Sequence, residues 1–358
     1  MLSNIQFLRF VAALMVVLYH TAAHVLDSRH ELGGLFGIGQ AVGFAGVDVF
    51  FVISGFIMAW TTVGDAGGPA AISFIKRRVA RVYSGYWPFY LLALVLFSVL
   101  GGQYLANAQL LRSVLLWPTE LQYLLIPVSW TLIFEMFFYL LFTSLIAFSS
   151  VHRGLLVKLL ALAMLGWSVY SHFVRHAYDP GQLESMSLYE QYTIFPFLLE
   201  FLAGSILADW LRRHPKGHAW PLLLSGMALL LVSGWINSAQ FGGKLIEGYF
   251  ILWRVLLFGG ASVLIVAGLV RLENLGWTVA PRFSLLAGGA SYALYLSHTL
   301  ILAATERMGL NDWLSHYPGW MARAAFICLA ALIALYSIAH YRWVERSLHR
   351  AFRRWLRV

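Results

Sequence analysis

Apolar residues run through this chain in long blocks, with no sustained two-residue alternation. Ten stretches are long and apolar enough to cross a bilayer, which takes roughly 20 residues each. They are 5–26, 42–62, 85–101, 128–148, 155–173, 192–210, 219–236, 249–270, 284–305 and 320–343. Loop-forming residues separate them at 64–68, 179–181, 215–217 and 317–319. The third stretch is the shortest and begins near Pro88. A further apolar run within 105–127, including Leu110, Leu111, Leu115, Leu116 and Trp117, is a candidate re-entrant segment. Hydrocarbon offers no water to backbone groups, so crossing segments of this kind are helices. The pattern predicts an all-α integral membrane protein, a bundle of about ten transmembrane helices. No internal repeat is visible, so a transporter built from repeats has no support.

Composition strengthens this picture. Of 358 residues, 60% are hydrophobic and 11% charged, too little charge to cover a soluble domain. Mean hydropathy is +0.73. No linker divides the chain, which reads as one membrane domain over residues 1–345 and a basic cytoplasmic tail over 346–358. The first 26 residues lack the basic start of a signal peptide and read as the first span. The single cysteine, Cys328, excludes an intrachain disulfide. Lys and Arg are distributed unevenly between the loops. With the N-terminus inside, 17 fall on the cytoplasmic side and 5 on the outer side. The expected product is a multi-pass protein of the cell inner membrane with both termini cytoplasmic. The same bias accounts for the net charge of +9 without a nucleic-acid partner. It points instead to the lipid bilayer, whose anionic head groups the basic tail would meet.

The informative residues are charges within the hydrocarbon, each costing at least about 2.5 kcal/mol at a helix centre. Arg9 and His20 are eleven residues apart, which places them on one helix face, about 20° from registry and about 16 Å apart. Counting from the span ends, Asp48, Ser129, Trp130, Glu135, Arg254 and His298 share the outer half with His20, as does Arg323 near the end of the tenth span. Of these, His20, Asp48, Glu135, Arg254, His298 and Arg323 are expected to line one cavity open to the outer face. His20 with Asp48 has the makings of a base and its orienting carboxylate, suited to activating an alcohol for attack on an acyl carbon. Arg254 and polar donors would stabilise the oxyanion. Two other readings stand beside this one. His20 could hydrogen-bond to a neighbouring helix, or share a metal with His24 at i, i+4, although neither cysteine nor the metalloprotease glutamate accompanies that pair. On the cytoplasmic side, Lys76, Arg77, Arg78 and Arg81 run into Tyr83, Tyr86 and Trp87. They are either interfacial anchors or a phosphate-binding cluster.

Several of these residues fall in runs that resemble membrane-bound acyltransferase family 3, bacterial proteins that O-acylate surface glycans. The opening Ile5 to Ala13, with Arg9 and then His20 after ten residues, resembles the family's first motif. Gly46 to Phe56 around Asp48 resembles the second, and Arg78 to Tyr83 the third. Val128-Ser129-Trp130-Thr131-Leu132 with Glu135, Phe138 and Tyr139 resembles the fourth. Ser291-Tyr292 and Leu294 to His298 resemble the motif near the C-terminus. The likeness is strongest to the exopolysaccharide-production acetyltransferases, which lack a fused extracytoplasmic domain.

The resemblance implies transfer of an acetyl or other short acyl group from cytoplasmic acetyl-CoA (acyl-CoA) to a sugar hydroxyl on the outer side. The donor is a substrate, and no bound cofactor or metal is implied. The catalytic set would be His20, Asp48, Glu135 and Arg9. Donor and substrate would be held by Arg78, Arg81, Tyr83, Ser129, Trp130, Tyr292, His298 and Arg254. Arg78 and Arg81 would face the CoA phosphates, Arg9 the acyl-pantetheine arm, and His20 would act as base. The acceptor would be a glycan or lipid-linked oligosaccharide, with polysaccharide-synthesis proteins as partners. The chain departs from the family pattern at Ser84, where many members have Pro, and at Met136, which replaces the second acid of a Glu-Glu pair. Glu200 has no family counterpart and is expected to pair with a buried Arg. The rival class is a secondary transporter or flippase of a glycan-related solute, distinguished by independence from acyl-CoA.

Overall fold

The computed structural model describes residues 2–25, 35–101, 103–148, 150–247 and 251–358. Among these every regular element is helical, and ten helices are long and apolar enough to cross a membrane. Arg29 and the expected start of the eighth span at 249 lie outside the described residues. The main helices are α1 (Ser3–Val25), α2 (Gly46–Thr61), α3 (Gly68–Leu100), α4 (Trp130–Phe148) and α5 (Ser150–Phe173). They continue with α6 (Phe197–Arg213), α7 (Ala219–Phe241), α8 (Gly260–Asn274), α9 (Pro281–Arg307), α10 (Gly319–His340) and α11 (Arg346–Leu356). A short helix, Ile251–Arg254, and a π-helical turn, Val255–Gly259, lead into α8.

Lipid tails are as apolar as leucine, so close approach of backbones holds such helices together better than hydrophobicity does. Glycines mark the approaches. A Cβ at Gly55 of α2 would stand 1.8 Å from the Phe201 carbonyl oxygen, and one at Gly204 of α6 2.0 Å from that of Val52. Helix α1 is clamped on two sides in the same way. Gly46 of α2 abuts the Ala12 carbonyl, and Gly288 of α9 abuts that of Gln6. The first turn of α1 is fixed by Glu273, whose carboxylate accepts from the backbone N–H groups of Ser3 at 2.6 Å and Asn4 at 2.8 Å. A carboxylate there satisfies orphan donors at the positive end of the helix. The helix bearing Arg9 and His20 is thus fixed at its start and along two faces.

The third and tenth spans differ most from their expected extents. The third starts at Gly68 and not at 85, because the basic cluster Lys76 to Arg81 belongs to the same helix as the apolar stretch. Pro88 sits inside this 33-residue helix, where Tyr86, Phe89 and Tyr90 are buried around it. The tenth passes through a π-helical turn, Tyr341–Glu345, into α11. The segment read as a basic tail is therefore helical, and it packs against α3.

The apolar run after α3 does fold back. Tyr90 donates to the carbonyl of Leu110, Tyr86 to Ser113, Trp87 Nε1 to Val114 and Tyr83 to Leu115, at 2.7–3.1 Å. The short helix Leu110–Leu115 therefore runs antiparallel to α3 and ends near Tyr83. Helix α4 follows after the turn Pro127–Ser129. It ends beside the start of α3, where the N–H of Gly67 donates to the Ile146 carbonyl at 3.0 Å.

Candidate active site

A cavity of about 580 Å³ opens at the end of the bundle that carries the basic cluster. Helices α1, α2, α3, α4, α9 and α11 all contribute to its wall. Its outer part holds the guanidinium groups of Arg77, Arg78 and Arg81, with Arg9 also on the wall. Its inner part is apolar and aromatic, with Val47, Phe50, Phe51, Leu132 and Tyr295. Each arginine is positioned by a partner. Arg77 donates to Ser73 Oγ at 2.6 Å. Arg78 lies 5.0 Å over the Phe74 ring and 5.6 Å over Tyr139. Arg81 pairs with the buried carboxylate of Glu345 at 2.5 Å and sits 5.4 Å over Tyr292. The Tyr292 ring in turn fits against Gly85, where a Cβ would come within 2.5 Å of it.

Glu135 belongs to this cavity, which corrects the expectation that it lies with His20. Its Oε1 accepts from the Tyr139 hydroxyl and, at 3.4 Å, from Ser54 Oγ. The reason is the early start of α3: from the Gly67–Ile146 contact, Arg78 and Glu135 each lie eleven residues along adjacent antiparallel helices, so Glu135 sits level with Arg78 and the cavity.

Beyond the inner wall lies a second cluster. The rings of Tyr295 and His298 are 5.8 Å apart, and those of His298 and His20 5.1 Å. His298 Nε2 is 3.3 Å from His20 Nδ1, which is also 3.0 Å from the Val16 carbonyl. His24 meets Thr305 Oγ1 at 3.2 Å. Among the described residues no group of three or more His, Cys, Asp or Glu is placed to hold a metal.

The expected His20–Asp48 dyad is also corrected. Asp48 is fully buried and its carboxylate is taken by Arg254. Nε lies 3.0 and 3.2 Å from the two oxygens, and Nη2 lies 2.8 Å from Oδ2. The guanidinium is sandwiched between Phe44 and Phe197 at 5.1 and 5.2 Å. Such a fork geometry commits the carboxylate to Arg254 and away from His20. Glu200 is the third member, buried near the pair and packed against Gly259 of the π-helical turn. Arg254 thus meets a carboxylate instead of an oxyanion cavity, and Arg323 is exposed on the flank of α10.

Three further expected site residues have structural partners outside the cavity. Tyr83 holds the folded-back segment. Ser129 Oγ donates to the Ile126 carbonyl at 2.7 Å in the turn before α4. Trp130 packs on Phe51, Phe134 and Phe197. Conversely, sequence reasoning missed Ser54, Tyr139 and Tyr295 as site residues. Tyr139 stands at i+4 from Glu135, and Tyr292, Tyr295 and His298 recur every three residues on one face of α9, signals present in the sequence. His349 and Arg353 also border the cavity, and only the packing of α11 on α3 reveals them.

Chemically, the cavity offers a basic mouth for a polyanion and an apolar interior for a slender arm, and its inner wall backs onto two imidazoles. Comparison with known proteins agrees with an acyl-transfer role. The sequence model of the acyltransferase domain matches residues 2–342. The chain is 33% identical over 324 residues to exopolysaccharide production protein ExoZ of Rhizobium meliloti, covering 86% of this chain and 90% of that protein. It is 24% identical over 367 residues to acyltransferase MdmB of Streptomyces mycarofaciens, covering 94% and 88%. A myo-inositol transporter 1A of Cryptococcus neoformans shows 29% identity over 147 residues, only 38% of this chain and 25% of that protein. No solved structure matches the chain.

Proposed function

The chain belongs to acyltransferase family 3, a multi-pass membrane O-acyltransferase, and on that footing we propose that it moves an acetyl or other short acyl group from acyl-CoA to a hydroxyl of a cell-surface or exopolysaccharide sugar. One observation carries this reading. Residues of five separate motifs, Arg9, Ser54, Arg81, Glu135 and Tyr292, meet at a single cavity whose inner wall abuts the His298–His20 pair. On this reading the basic mouth faces the cytoplasm, the side that the Lys and Arg bias favours, and receives the donor's phosphates. Arg9 lies further along the arm. Counting eleven residues at 1.5 Å, the thioester has about 16 Å to travel along α1 to His20.

At His20 the hydroxyl oxygen attacks the thioester carbonyl carbon, and the new C–O bond replaces the C–S bond. The hydroxyl proton passes to the imidazole, which returns it to the departing CoA thiolate. Both hydrogen-bond contacts of the His20 ring are on Nδ1. A proton held there toward the Val16 carbonyl leaves the Nε2 lone pair free to act as base. The orienting group is then a backbone carbonyl and a second histidine, and Asp48 serves the scaffold. Glu135 orients Tyr139 and balances the arginine charge around the donor arm.

The test is transfer of labelled acetyl from acetyl-CoA by purified protein in proteoliposomes supplied with acceptor glycan. His20→Ala is expected to abolish transfer with folding intact, a loss of at least 100-fold if a general base contributes about 10²–10⁴. Arg9→Ala and Arg81→Ala are expected to raise KM for the donor. Equal transfer by wild type and His20→Ala would remove His20 from the chemistry. Transport of a glycan-related solute with no dependence on acyl-CoA would replace this reading with the transporter class.

A further inference from the structure

Helix α11 lies beyond the family match, which ends at residue 342, yet it forms part of the cavity wall. Its contacts with α3 advance together: Arg81 with Glu345, Ser84 with His349, and Trp87 with Phe352. The helix therefore leaves the axis of α10 at the π-helical turn and lies across α3, in keeping with π-turns as sites of kinks. Residues 345, 349, 352 and 353 share the face turned to α3, as the i, i+4 and i+3 spacing requires. The anchor is Glu345, fully buried and paired with Arg81 at 2.5 Å. His349 Nδ1 stands 3.3 Å from the hydroxyl of Ser84, the position that departs from the family pattern. Of the arginines on α11, Arg353 alone lines the cavity, whereas Arg350 turns back to its own helix, bonding the Arg346 carbonyl and Ser347 Oγ.

We infer that α11 is a wall of the donor site, and that Arg353 with His349 binds the phosphate-bearing end of the acyl donor opposite Arg77, Arg78 and Arg81. This rests on the acyl-CoA reading above. An exposed guanidinium on a second helix at the mouth adds a cationic donor for a polyanion, and Arg supplies it through its fork. The helix would thereby make the enzyme discriminate a nucleotide-bearing thioester from one lacking phosphates.

Steady-state transfer in proteoliposomes tests this with two donors, acetyl-CoA and acetyl-pantetheine, and three proteins: wild type, Arg353→Ala and Arg350→Ala. Arg353→Ala is expected to raise KM for acetyl-CoA roughly 3–10-fold, the low end for a charge-assisted contact because the side chain is solvent-exposed. Its kcat and its KM for acetyl-pantetheine should match wild type, and Arg353→Lys should fall between. Arg350→Ala, which removes the same charge from the same helix, should match wild type with both donors. An unchanged KM for acetyl-CoA in Arg353→Ala, an equal loss with both donors, or an equal effect of Arg350→Ala through the lipid surface would each overturn the role of α11 while leaving the donor reading in place. A wild type whose transfer does not saturate with acetyl-CoA would overturn the donor reading, and this inference with it.

Discussion

Asp48 and Glu200 stand beside one guanidinium, and the geometry decides between them. Arg254 gives both its Nε and its Nη2 to Asp48, whereas the carboxyl of Glu200 lies against Asp48 and accepts from no nitrogen donor. Removing one partner from a buried, forked ion pair strands the other charge, a cost of about 3–5 kcal/mol. Asp48→Asn is therefore expected to lower the thermal unfolding midpoint in detergent and the yield of folded protein. Glu200→Gln keeps the shape, and its amide can still donate to Asp48, so its cost should be about 1 kcal/mol or less. Comparing the two melting curves checks this, and the opposite order would show that Glu200 is the partner that matters. Asp48 shows where sequence reasoning stops. Its buried, charged character was legible from its place in an apolar run. Its partner was not, because a carboxylate at that depth suits His20 and Arg254 equally until helix adjacency is known.

At the scale of elements, adjacency is set by glycines that a hydropathy reading passes over. Gly288 and Gly166 look alike in sequence, each inside a long apolar helix that carries one other glycine. At Gly288 a Cβ would stand 2.4 Å from the Gln6 carbonyl, whereas at Gly166 nothing lies within 4 Å. Gly288→Val should therefore push α9 from α1, cost about 1–3 kcal/mol as overpacking does, and depress transfer by moving His298 relative to His20. Gly166→Ala should be neutral or stabilise by up to about 1 kcal/mol through helix propensity. Thermal unfolding with the transfer assay reads both. Equal effects would mean that the α1–α9 contact is looser than its geometry implies. The ten crossing helices were legible because apolar length alone dictates them. The start of the third at Gly68 was not, since a helix persists through charges that leave the apolar window. The depth of Glu135 was misread for a related reason. A count of residues from a span's end cannot register that the basic start of α3 is drawn up alongside α4, which brings Arg78 level with Glu135.

Across the whole molecule, the arginine cluster and the imidazole pair divide the work by depth. The basic mouth and Arg9 lie at one end, and the His20–His298 pair lies about 16 Å along α1, beyond an inner wall that ends at Tyr295. This arrangement suits a donor and an acceptor that arrive from opposite sides of a membrane, and it requires a definite orientation. If the mouth faces the cytoplasm, α11 must face it too, because Arg81 and Glu345 are joined. The turn between α5 and α6, which contains exposed Arg175, must then lie outside, since five crossings separate it from the N-terminus. Cys328 is the single native cysteine, so a Cys328→Ala background gives a clean label. In intact cells, a membrane-impermeant maleimide should modify Arg175→Cys. It should modify Ser347→Cys, exposed on α11, only after the membrane is opened. The reverse pattern would put the arginine-rich mouth outside, away from any cytoplasmic acyl-CoA, and the donor would then have to be sought among extracytoplasmic thioesters or esters. Labelling of both sites in intact cells would mean that the crossings between them do not alternate as ten full spans.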